Sequence, residues 1–115
     1  MLDRSVLLES AKSFKLGELE LPELGGKIFL RVISSRERDA IEQEISNAKG
    51  TANLQNIRAK MVIRAVSDAD GKRVFSDADA DLVGDMPAPL VGKIFDAACK
   101  HNGMTGEAVE DARKN

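Results

Sequence analysis

The chain has 115 residues and a formal net charge of −2, with 43% apolar and 31% charged residues. That length suits one domain, with roughly two-thirds of the unfolded surface buried on folding. With four Phe and no Trp or Tyr, the core must be aliphatic, and the stacking aromatics of a single-strand nucleic-acid binder are missing.

Residues 1–15 form an N-terminal segment. Asp3 or Ser5 can cap a short helix over 3–13, with Val6, Leu7 and Phe14 on its apolar side. Residues 16–33 read as a β-hairpin. Leu19 and Leu21 alternate with Glu18 and Glu20, and Ile28, Leu30 and Val32 alternate with Phe29, Arg31 and Ile33. The stretch from Pro22 to Gly26 joins them as the turn. An isolated hairpin is marginal in water, so it must lie on helices.

Residues 34–115 read as helical. Ser34 with Glu37 three residues on is a capping box, and Gly50 is a fitting stop. The apolar stripe of this helix is narrow: Ala40, Ile41, Ile45 and Ala48. Asn53 can cap the next helix, where Leu54, Ile57, Met61, Ala65 and Val66 share a face. Arg58 falls inside that face and Ile63 opposite it, so "MVIRAV" is apolar nearly all round. A short buried strand competes there, but length favours helix. Pro87 or Pro89 suits the first turn of a further helix. Leu90, Val91, Ile94, Phe95, Ala97 and Ala98 make its wide apolar arc, and Asn102-Gly103 ends it. A last short helix starts at Thr105. The fold class is α+β: mainly α, four to five helices with a small N-terminal hairpin, in a single domain over 1–115.

The stretch "SDADGKRVFSDADADL" at 67–82 raises a metal question, because Asp-x-Asp-Gly suggests a calcium loop. With Gly71 at position 6 of an EF-hand loop, Asp68 and Asp70 fall correctly at 3 and 5. Position 1 is then Val66, position 12 is the short Asp77, and Lys72 and Arg73 crowd the ion with positive charge. The structural reading uses more residues. Asp70-Gly71 is a turn dipeptide, Arg73 to Phe75 a short extended return, and Ser76 an N-cap with Asp79 as its reciprocal acid. Ala78, Leu82 and Val83 are the inward residues of the helix that follows. No metal site and no cofactor are expected.

Cys99 and His101 lie two apart, which on a helix separates them, and no second Cys or His exists. Cys99 reads as a small buried hydrophobe, and His101 as facing the C-terminal helix dipole. A single cysteine excludes an internal disulfide and fits a reducing compartment. "GGK" at 25–27 lacks the rest of a phosphate loop. Residues 1–60 carry 10 basic and 9 acidic side chains, and 61–115 carry 7 and 10, so no basic patch for nucleic acid emerges. No apolar run approaches a membrane span or a signal segment. No pattern argues for an enzyme. Two readings of Met61, Val62, Ile63 and Val66 stand side by side: core, or a strip covered by another copy or a partner protein.

From "GGKIFLRVISSRERDAIEQEI" through "VSDADGKRVFSDADADL" to "HNGMTGEAVEDARKN", the chain resembles the tail assembly chaperones of long-tailed bacteriophages. The likeness spans roughly residues 20–115 and lies in the order and spacing of elements. It implies a non-enzymatic protein of the bacterial host cytoplasm, absent from the finished virion. It further implies that the chain coats the tape measure protein and helps recruit tail tube subunits, with possible self-association. The rival class is a small regulatory or calcium-responsive binding module.

Overall fold

The computed structural model describes residues 2–46 and 56–104. The expected stop at Gly50, the cap at Asn53 and the final helix from Thr105 lie outside those residues.

Asp3 caps the short helix α1 (Arg4–Leu8), its side chain accepting the Val6 N–H at 3.0 Å. A single 3-10 turn, Ser10–Ser13, follows. The alternating segments then pair, but the second strand ends at Leu30, short of the expected end at residue 33; beyond it Val32 is exposed and Ile33 is buried, the reverse of the expected alternation. Strands β1 (Gly17–Leu21) and β2 (Gly26–Leu30) run antiparallel, in register from Gly17 opposite Leu30 to Leu21 opposite Gly26. Gly25 closes the turn between them at φ 78°, a left-handed conformation that favours glycine. Leu19, Leu21, Ile28 and Leu30 face or edge the core, while Glu18 and Lys27 pair on the other side.

Ser34 caps α2 (Ser35–Ser46) by the expected reciprocal bonds. The Glu37 N–H donates to Ser34 Oγ at 3.1 Å, and the Ser34 N–H donates to Glu37 Oε1 at 2.9 Å. Helix α3 (Ile57–Ala65) is central, with six of its nine residues buried. It stops one residue before the sequence pattern suggests. Val66 is extended (φ −72°, ψ 128°), and Val66–Ser67 form β3, a third strand paired antiparallel with β2. Sheet order is β1-β2-β3. The helix reading of "MVIRAV" thus holds through Ala65, and only its last residue, Val66, enters a strand.

Helix α4 (Ala80–Gly84) is preceded by a 3-10 turn at Asp77–Asp79. Val83 is buried as expected, but Ala78 and Leu82 face solvent, and Ala80 packs on the core instead. The 3-10 turn explains the phase error, because three residues at the tighter winding rotate the face by about 60°. Helix α5 (Ala88–His101) has Pro in its first turn and buries Val91, Ile94, Phe95, Ala98 and Cys99. It packs across α3, and together with the inner face of the sheet these helices enclose one aliphatic core.

Candidate partner-binding surface

The C-terminus of α3 shows why this helix sits at the centre. A helix leaves its last four carbonyls without intrahelical partners. Here each has one. Val62 O accepts the Val66 N–H, and Ile63 O accepts Arg73 Nε at 3.0 Å. Arg64 O accepts Arg31 Nη1, and Ala65 O accepts the Arg31 N–H at 2.8 Å. Two guanidinium groups thus meet the negative end of the helix dipole, which is the favourable arrangement. The sheet and the return segment are tied to α3 by those same bonds.

This placement corrects the strip expected as a contact surface. Met61, Val62, Ile63 and Val66 are 0–3% exposed. The elements packed against α3 are the chain's own α2, α4 and α5. The apolar run has no polar face because α3 is surrounded, and a partner cannot reach these four side chains without opening the domain.

The aspartate stretch is built as turn and cap. Asp68 Oδ1 accepts the N–H groups of Asp70 (2.8 Å) and Lys72 (3.0 Å), and the Gly71 N–H reaches Asp68 O. Gly71 has φ +84°. Asp68, rather than Asp70, organises this turn with its side chain. Arg73 bridges Ser67 and pairs with Asp77 at 2.8 Å. Ser76 and Asp79 form the capping box, the Ser76 N–H donating to Asp79 Oδ2 at 2.8 Å. Among the described residues no group of three or more His, Cys, Asp or Glu side chains is arranged to hold a metal ion.

Arg31 and Glu37 form a bidentate ion pair. Two parallel bonds of 3.0 and 2.9 Å join them at half-buried positions. Burial alone would raise the Glu37 carboxyl. The hydrogen bonds from Arg31 and Ser34, with the Arg31 charge, outweigh it and lower the carboxyl to about 2. Burial, helped by the nearby Asp96 charge, pushes the Cys99 thiol up to about 11, so it is an inert part of the core. His101 packs over Gly17, where an added Cβ would lie 2.8 Å from its Nδ1.

Exposed apolar residues gather in two places. Leu2, Val6, Leu7, Leu8 and Phe14 all face solvent, although periodicity expected three of them on a packed side. The second is an open groove of about 440 Å³ between the hairpin turn and α5, lined by Leu21, Leu24, Ile28, Phe75, Met86 and Leu90. Leu24 and Val74, 66% and 56% exposed, stand on its rim. A more polar groove of about 660 Å³ lies beneath Phe14, beside Arg31, Val32 and Asp70.

With this geometry the chain is similar to a solved structure described as the structure of the bacteriophage HK97 tail assembly chaperone. The TM-score is 0.64 at 20% identity, covering 84% of this chain and 94% of the other. The two proteins share a fold. No family model matches the sequence, and no curated protein matches it.

Periodicity missed the groove. Leu24 stands in a turn and Val74 follows one, so neither belongs to a repeating face. The available signal was simpler: large apolar residues inside Gly- and Asp-rich turns, where polar residues are the rule.

Proposed function

We propose that this chain is a phage tail assembly chaperone. In this reading it covers apolar segments of the tape measure protein and helps bring tail tube subunits to it, in the host cytoplasm and without catalysis. The observation that carries the reading is the fold shared with the HK97 tail assembly chaperone over most of both chains. The order of hairpin, capped helix, aspartate turn and apolar helix in the sequence points the same way.

The surface chemistry suits the role. A cover for long apolar helices needs exposed apolar patches and a soluble back. The groove rim at Leu24 and Val74 and the N-terminal residues Leu7 and Leu8 supply the first. The exposed Arg36, Arg38, Asp39 and Glu42 of α2 supply the second. No described helix is long and apolar enough to cross a membrane.

The test is co-expression with a phage tape measure protein and tail tube protein. The expected result is a soluble tape measure complex that co-purifies with the chain. Equal insolubility of the tape measure with and without the chain overturns the reading.

A further inference from the structure

Strand β3 is two residues long, and its shortness leaves part of β2 without a neighbour. The Arg31 N–H points toward the β3 side, donating to Ala65 O. The antiparallel ladder alternates, so Phe29 and Lys27 present their N–H and C=O groups to that same side. Phe29 lies opposite Ser67. Beyond Ser67 the chain turns away, the Asp68 N–H bonding Lys72 O at 2.9 Å within its own turn. On this edge Lys27 faces no strand of the chain among the described residues. It faces the 440 Å³ groove instead.

An unpaired backbone donor and acceptor beside an apolar trough is the combination that accepts an extended peptide. Main-chain bonds hold such a peptide, and alternate side chains fill the trough. The rim charges add a preference. Of the charged residues that line the groove, Lys27 is paired with Glu18, whereas no ion pair among the described residues involves the exposed Asp68. The spare charge in the groove lining is negative.

We propose that the groove takes an extended segment of a partner protein, added as a strand beside Lys27. The segment carries apolar residues at every second position and a basic residue at its flank. Only the identity of that partner as a tail protein rests on the chaperone reading. The recognition chemistry does not.

The probe is a seven-residue peptide with Val at alternate positions and Lys at both ends. Its controls are the same peptide N-methylated at the central residue that faces Lys27, and a version with Glu at both ends. Binding is followed by peptide fluorescence anisotropy and by amide NMR of the intact chain. The parent peptide should shift the Lys27 amide. N-methylation should weaken binding about tenfold or more, and so should Val74→Glu, whose exposed site leaves folding intact. Terminal Glu should weaken it by a smaller factor. Val32→Glu, exposed but away from the groove, should leave it unchanged.

Binding indifferent to N-methylation, or no binding at all, overturns the proposal. So does concentration-dependent self-association that Val74→Glu abolishes, which would assign the groove to a second copy. If the tape measure complex forms while the peptide results fail, this inference falls and the chaperone reading stands.

Discussion

The side chain of Asn102 accepts the backbone N–H of Ile33 at 2.8 Å and so joins the end of α5 to the exit of β2, 69 residues earlier. Its amide nitrogen donates to Arg31 O at 3.2 Å and to Ala98 O at 2.9 Å. One side chain thereby serves the Ile33 N–H and Arg31 O at the exit of β2, while Ala98 O also keeps the Asn102 backbone N–H at 3.1 Å. Asn102→Ala should cost about 1–3 kcal/mol, because part-buried groups are left without partners. Urea unfolding should show a lower midpoint with an unchanged slope. A midpoint equal to that of the wild-type chain would mean that water replaces all three bonds.

Arg31 and Glu37 give a pH signature of known sign. The folded carboxyl is held at about 2, below its ordinary value of 4.5. A depressed acid contributes stability that is fully present above the unfolded value and is lost as pH falls from 4.5 through 2. Glu37→Gln should therefore lower stability at pH 7 by about 1–2 kcal/mol, at the modest end for charged bonds because the pair keeps some solvent contact. Near pH 2 the variant and the wild-type chain should converge. Parallel denaturant curves at the two pH values measure the difference directly.

Capping chemistry is legible in the sequence, because it depends on a few residues in fixed local spacing. Ser34 with Glu37 and Ser76 with Asp79 form as the sequence suggests, and the turn at Gly71 forms too, though with the Asp68 side chain in the place expected of Asp70. The hairpin itself and most of the buried arc of α5 were readable for the same reason, since period identifies the face. Facts that need a third dimension were not readable. Nothing local to Val66 announces that β2 lies beside it, so β3 appears only once the chain is folded. The strip from Met61 to Val66 has the composition of either a contact surface or a surrounded helix, and only the covering elements decide. The groove eluded the reading because its rim residues come from turns and its bare edge from a strand that ends early.

Gly17 and His101 are fitted to each other. A methyl group at residue 17 would sit 2.8 Å from His101 Nδ1, closer than non-bonded atoms tolerate. Gly17→Ala should destabilise by about 1–3 kcal/mol through overpacking. In a His101→Ala background most of that loss should vanish. A double-mutant cycle of melting temperatures gives the coupling. Additive effects would place the cause in the strand backbone instead of the contact.

The aspartate turn should ignore calcium. Asp68 spends its Oδ1 on two backbone N–H groups, and Lys72 and Arg73 stand beside it. A cation binding only the folded chain would raise its melting temperature. Excess calcium should leave that temperature unchanged, as magnesium should. Asp68→Ala should lower stability by about 1 kcal/mol, the ordinary loss of a local cap. A calcium-dependent rise that Asp68→Ala removes would restore the calcium-responsive reading.

Charge at the α3 strip and charge at the groove rim should have opposite consequences. Ile63 is 2% exposed, so Ile63→Asp buries a carboxylate without a partner and should abolish cooperative folding. Met61→Ala, a smaller insult, should cost about 2–5 kcal/mol by leaving a cavity. Val74→Glu and Leu24→Glu lie on exposed rim positions, where stability should change by less than about 0.5 kcal/mol. Circular dichroism with melting separates the two groups before any binding is measured. Loss of partner binding in the folded rim variants would locate the contact at the groove. Loss confined to the α3 variants would reflect unfolding, because those side chains support the surface from inside.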